Sequence, residues 1–550
     1  MKKNVFLFLF ASAGLTGLAQ QKNTNADTDA KLSRPKLVVG IVVDQMRWDY
    51  LYKYYDRYGS GGFKRLLSEG FTCENMMINY VPSVTGVGHS SIYTGSVPAI
   101  HGIADNYWID QLSGKGVYCT DDSTVQSVGT NNNTGKMSPG NLLVSTVTDE
   151  LRIATNFQSK VVGVSLKDRA SILPAGHAAN AAFWFDDSTG SFITSTYYMK
   201  ALPRWALQFN KSQPVNTLIK KGWNTLYPID TYQNSESDSQ VYEGKFEGET
   251  TSSFPHKIDE IYARNKGSFR TTPFGNTLTL DFAKQAIDGY ELGKGKATDF
   301  LTINCASTDY VGHMFGPNSI EVEDTYLRLD KELEKFFLFL DSKIGKGQYT
   351  VFLSADHGAA HNAGYMQKHK LTFGLANVNV VTNSLNKLLE DKFGVKELIR
   401  PEIGDQVDFN MQKINSQHLD FDAIRKTTTD FLQQQPGILY AIDMTKIGEA
   451  PIPEPLKTML INGYNSRRSS PLRIVLYPGA ATGEIGRGTG HGTLHPYDTH
   501  IPLLFMGWGI HHGSSTATVH ITDIAPTIAA LLHIQMPNGN IGHVIPGVIK

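Results

Sequence analysis

Continuous apolar runs, rich in β-branched residues, recur along the chain, and several end on a charged residue. KLVVGIVVDQ (36–45) is the first; SKVVGVSLKD (159–168), TDFLTINCAS (298–307), YTVFLSADHG (349–358) and IPLLFMGWG (501–509) share its character. An uninterrupted apolar run is what a strand buried on both faces of a parallel sheet requires. Between these runs apolar residues return at helical spacing, in GGFKRLLSEG, NLLVSTVTDELRIATNF, NTLTLDFAKQAIDGYELG and SIEVEDTYLRLDKELEKFFLFLDSKIG. Strands alternating with helices predict an α/β fold, a mainly parallel central sheet flanked by helices. In such sheets reactive groups gather beyond the carboxyl ends of the strands.

Two stretches break the rhythm. Residues about 197–275 are rich in Trp, Tyr, Pro, Ser and Asn and read as a loop-rich insertion. Residues 362–485 carry short elements of their own, strands in FGLANVNVVT and RIVLYPG and helices in SLNKLLEDKFG and FDAIRKTTTDFLQQQ. They read as a smaller inserted cap domain, leaving 36–361 and 486–550 as the catalytic core.

The first residues change the picture again. Lys2 and Lys3 precede a short apolar stretch, VFLFLFASAGLTGLA, and small residues Gly17 and Ala19 follow where a signal peptidase needs them. This pattern predicts a signal peptide over 1–19 and a periplasmic or secreted mature chain. Residues 20–35 are polar and read as a flexible linker. No later run is long enough to span a bilayer, so no stable membrane insertion is expected. Lys plus Arg (51) and Asp plus Glu (52) nearly cancel. Such a balance excludes a global field for nucleic acid, and an anionic substrate has to be attracted by local groups. Export permits disulfides, yet three cysteines cannot all pair internally. Cys305 reads as a buried strand residue; whether Cys73 and Cys119 pair is open, and all three are read as structural. The expected oligomeric state is a monomer.

The chemistry lies after the strands. Asp44 ends the first; Asp309 and His313 follow the 298 strand, four apart; Asp356 and His357 follow the 349 strand; His491 sits between glycines in GTGHGT. Each alone reads equally well as a cap, a surface pair or a loop residue. Together, on one sheet edge, three carboxylates and three imidazoles suit zinc or a similar divalent ion. They are enough for two metals roughly 4 Å apart, the spacing of metal-assisted phosphoryl transfer. The hydroxyl-rich run YVPSVTGVGHSSIYTG (80–95) offers the nucleophile. Thr85 fits best, before a helix whose N–H groups favour an anion, with Gly86 allowing close approach. Ser90, Ser91 and Thr94 fall within that helix, and Ser83 is the competing candidate.

IVVDQMRWDY, VPSVTGVGHSSIYTG, NCASTDYVGHMFGP, LSADHGA and GTGHGT, in this order, resemble the alkaline phosphatase superfamily. The likeness is to its branch of exported, threonine-nucleophile alkaline phosphatases, related to the nucleotide pyrophosphatase/phosphodiesterases. It runs from about residue 36 to the C-terminal TDIAPTIAALL helix. The resemblance implies hydrolysis of small phosphate monoesters through a covalent phosphothreonine, with two Zn2+ per chain. It assigns Asp309, His313 and His491 to one zinc, and Asp44, Asp356 and His357 to the other, which also binds Thr85. It further implies that Asn106, Lys167 and Arg169 contact the phosphoryl oxygens, and it leaves His495 as an alternative or supporting residue. A phosphodiesterase or nucleotide pyrophosphatase with the same metal site is the rival reading. A sulfatase would need a Cys/Ser-x-Pro-x-Arg run, which the stretch around Ser83 lacks. A phosphate-binding module without turnover would need no nucleophile.

Overall fold

The computed structural model describes residues 32–550, apart from 377, 401–404 and 483–485. The signal peptide expected over 1–19 and most of the linker expected over 20–35 therefore lie outside the described residues.

A ten-stranded sheet organises the chain. At its centre Leu37–Val43 lies between Asp299–Cys305 and Tyr349–Ser354, parallel to both. Val161–Ser165 and then Ala181–Asp186 extend the parallel set beyond Asp299–Cys305. Every residue of these strands is buried, which is why their sequences show no alternation. The sheet is flanked by helices, among them Phe63–Glu69, Val147–Ala154, Phe274–Tyr290 and Ile320–Leu340. Val147–Ala154 is shorter than its apolar pattern because Thr146 closes a capping box with Asp149 and starts the helix late.

One apolar run was misleading about direction. His500–Gly507 pairs antiparallel with Tyr349–Ser354 on one side and with Phe71–Met77 on the other. It is buried on both faces like its parallel neighbours, and burial, not strand direction, is what an apolar run encodes. Within 362–485, FGLANVNVVT also departs from a plain strand. Only Leu375–Ala376 is extended, and the helix Val378–Phe393 takes up the rest of the described stretch. A short apolar run does not distinguish strand from helix. This region has its own three-stranded antiparallel sheet, Gln406–Val407, Leu472–Leu476 and Ile438–Asp443, over an apolar cluster that includes Leu385, Leu389, Ile424 and Leu432.

Register places the chemistry. Val42 lies opposite both Asn304 and Ser354, and Ser165 lies opposite Asn304. The four central strands therefore end level, and the turns carrying Asp44, Lys167 and Asp356, with the helix Ser307–Phe315 that carries Asp309 and His313, leave one edge.

Candidate active site

Thr85 opens the buried helix Thr85–Thr94, with Val84 as its cap residue. The helix sits so close to the sheet that a side chain on Gly88 would strike the carbonyl oxygen of Asp356, at 2.4 Å from a β-carbon. The hydroxyls of the run have distinct partners. Ser83 donates to the carbonyl of Thr493 (2.7 Å), Ser90 to Gly86 O (2.7 Å) and Thr94 to Ser90 O (2.7 Å). Ser91 pairs with the His101 ring (3.1 Å). Thr85 Oγ1 instead lies 3.3 Å from the Lys167 ammonium, among the carboxylates.

Asp44, Asp356 and His357 converge in one group, and Asp309, His313 and His491 in another, the ligand atoms of each within 4.8 Å of one another. In all three imidazoles Nδ1–H is given to a backbone carbonyl: His313 to Thr489 O (2.9 Å), His357 to Gly358 O (3.0 Å) and His491 to Ser83 O (2.8 Å). That fixes the tautomer and leaves each Nε2 lone pair toward the carboxylates, the arrangement metal-binding histidines need. In the first group Asp356 Oδ2 and His357 Nε2 are buried and accept no hydrogen bond. A carboxylate oxygen and a ring nitrogen left so are costly unless a cation joins them, so the donor set fits a divalent metal.

Charges crowd at this edge. Burial, followed by the charge of Asp356, pushes the Asp44 carboxyl up to about 7. Burial works upward on Asp309 and Asp356 too, but Lys167 and His313 hold the first, and His357 and His89 the second, well below the carboxylate range. Burial and the neighbouring His357 keep His491 neutral, far below the usual imidazole range. The two rings stack at 3.5 Å between centroids, joining the groups.

Lys167 bridges the groups, with Nζ 2.9 Å from Asp44 Oδ1 and 2.7 Å from Asp309 Oδ2. Asn106 accepts the Gly86 N–H at 2.7 Å and so sits at the start of the Thr85 helix. Arg169 is held by the Tyr118 hydroxyl (3.0 Å), itself donated to Asp168 Oδ1 (2.7 Å). His495 joins neither group; its Nε2 is bonded to Leu476 O (2.9 Å). Cys73, Cys119 and Cys305 are free and buried.

Sequence reasoning missed the supports. Gln45 ties the two groups together, its N–H on Asp356 Oδ1 (3.2 Å) and its side-chain amide on Asp309 Oδ1 (2.7 Å). Asn304 donates to Asp44 Oδ2 (3.2 Å), and His89 Nδ1 lies 3.4 Å from Asp356 Oδ2. Adjacency of Gln45 to Asp44 was the one available signal.

The model of the type I phosphodiesterase / nucleotide pyrophosphatase family matches residues 38–498. The chain belongs to this family, within the alkaline phosphatase superfamily. The alkaline phosphatase PafA of Elizabethkingia meningoseptica is 53% identical over 97% of both chains. The crystal structure of wild type PafA covers 94% of this chain and 100% of its own, with a TM-score of 0.92 and 54% identity. The alkaline phosphatase PhoV of Synechococcus elongatus is 51% identical over 98% of both chains. A Myroides odoratus protein called a calcium-transporting ATPase is also 51% identical, over 94% of this chain and 96% of its own. No helix among the described residues is long and apolar enough to cross a membrane.

Proposed function

We propose that the chain, a phosphoric monoester hydrolase of the alkaline phosphatase kind, is exported, binds two zinc ions and works through a phosphothreonine on Thr85. The observation that carries this is the fate of the hydroxyls: Thr85 Oγ1 lies 3.3 Å from the ammonium that touches both acidic groups. Asp44, Asp356 and His357 would hold one ion, and Asp309, His313 and His491 the other. Bound there, zinc would supply Lewis acidity for the threonine hydroxyl, the leaving oxygen and water.

The chain's own residues do the rest. Thr85 Oγ gives up its proton and attacks phosphorus, its O–P bond forming as the ester O–P bond breaks, and the leaving oxygen departs opposite and takes up a proton as the alcohol. Water then attacks the phosphothreonine, and Thr85 Oγ leaves with phosphate released. Lys167, Arg169, Asn106 and the N–H groups opening the Thr85 helix offset charge on the transferring group. Export rests on Lys2, Lys3 and the short apolar run after them. The rival phosphodiesterase reading shares the metals and the threonine.

The test is turnover of one monoester and one matched diester by purified protein, with acid quench and mapping of the phosphopeptide. Faster monoester hydrolysis with label on Thr85 is expected. Diester turnover in excess of monoester turnover returns the rival reading, and label on Ser83 overturns the choice of nucleophile.

A further inference from the structure

A cavity of about 480 Å³ opens beside the site, its wall shared by His491 and Val84 with the strand Leu472–Leu476 of the smaller sheet. His491 belongs to the group of metal ligands that does not include Thr85's expected metal, and Val84 is the residue before the nucleophile. In-line displacement sends the leaving alcohol away from the nucleophile, and His491 puts this cavity beside the group read as serving that alcohol. The lining is largely apolar, with Val81, Val475, Leu476 and Leu494 among it. Among its polar groups, Arg473 and Asp405 carry buried atoms without a hydrogen-bond partner, and Arg487 lines the same cavity. Arg473 is 4% exposed, and its Nη1 and Nη2 have no hydrogen-bond partner. Asp405 faces it at 3.4 Å, and Asp105 lines the same cavity.

We infer that this cavity is the leaving-group subsite, taking phosphate monoesters of bulky, mainly apolar alcohols that carry a neutral hydrogen-bond acceptor for Arg473. The inference rests on the monoesterase reading above. The volume exceeds what a phosphoryl group alone fills, and burying a ring against apolar side chains strengthens binding. Nη1 has only the 3.4 Å ion-pair contact with Asp405 and Nη2 has no acceptor, so an oxygen supplied to this edge would satisfy a costly unmade hydrogen bond. Asp405 already pairs the guanidinium, and Asp105 adds a second carboxyl to the same wall. An amide or carbonyl oxygen therefore suits Arg473, and a second anion does not.

The test uses monoesters with alcohols of similar basicity: ethyl phosphate, 2-phenylethyl phosphate, and the latter with a 4-carboxamide or a 4-carboxylate. In the wild-type protein kcat/KM is expected to rise about tenfold from ethyl to 2-phenylethyl, and again severalfold with the carboxamide but not the carboxylate. Leu476→Asp should shrink the 2-phenylethyl to ethyl ratio, while Arg473→Met should remove the carboxamide gain alone and Arg473→Lys restore part of it. A wild-type ratio near one for 2-phenylethyl over ethyl overturns the subsite, whatever the variants do. Equal gains in wild type and Arg473→Met overturn the role of the arginine. Absence of turnover of ethyl phosphate itself would instead defeat the monoesterase reading, so the two failures are distinct.

Discussion

The two groups that could hold a metal ion are built from the same residue types yet sit in different surroundings. Asp44, Asp356 and His357 have fully buried side chains, whereas the His313 side chain is 41% exposed and the His491 side chain 9%. The buried group is clamped from several directions, by Gln45, His89 and Asn304, and lies against the helix that carries Thr85. The other borders the open cavity and rests on the glycine-flanked loop at His491. On the proposed reading, Thr85 attacks beside the buried group and the alcohol departs on the more exposed side. Rigid placement favours attack, and an open face favours exchange of substrate and product.

Chelation tests this contrast most severely. A strong chelator is expected to abolish turnover, with one ion leaving fast from the exposed group and a second leaving slowly from the buried one. Metal analysis during the loss, followed by zinc readdition, checks it; simultaneous release of both ions breaks the contrast. Single ligand losses come next. Asp356→Ala should lower kcat/KM by at least about a thousandfold and resist rescue, because it strands buried groups as well as unloading the site. His313→Ala should cost less and recover in excess zinc, which titration of activity against zinc would measure.

Lys167 joins what burial separates, since it touches a carboxylate of each group, and with Arg169 it is proposed to meet the phosphoryl oxygens. A monoester presents one more charged oxygen than a diester. Replacing both residues with alanine should therefore narrow the monoester preference by roughly tenfold to a hundredfold. Equal loss of both activities would show that these cations do not set the class.

The smallest effect on turnover concerns the far side of the Thr85 helix. His101 accepts the Ile103 N–H on Nδ1 (3.1 Å) and meets Ser91 through Nε2 (3.1 Å), so its ring is held neutral. Burial, aided by Arg468, pushes it down to about 3. Its folded value lies below the unfolded one near 6.5, so the unfolded chain takes the proton first. Its stabilising contribution is complete above about pH 6.5 and is lost as pH falls toward 3, roughly 3 kcal/mol by pH 4. His101→Gln should flatten that part of the acid dependence of Tm while changing neutral turnover little.

Much of the site was legible in one dimension because the fold is repetitive at that edge. A buried parallel strand needs an unbroken apolar run, and the first polar residues after it must lie at the sheet edge. Asp44, Asp309, Asp356 and His357 could be read that way, and GTGHGT pointed to His491. The sequence alone therefore determined the α/β class, the buried strands of the central sheet and the candidate ligand types. Only the tertiary structure decided how they meet. Ser83 and Thr85 differ little as letters; what separates them is that one hydroxyl is bonded to Thr493 O while the other faces Lys167. The direction of His500–Gly507, the bridging role of Gln45 and the cavity walled by His491 and Arg473 also depend on neighbours hundreds of residues away. Local pattern reports burial and spacing along one chain; hydrogen-bond partners, strand direction and enclosed space are properties of pairs, and pairs exist only once the chain has folded.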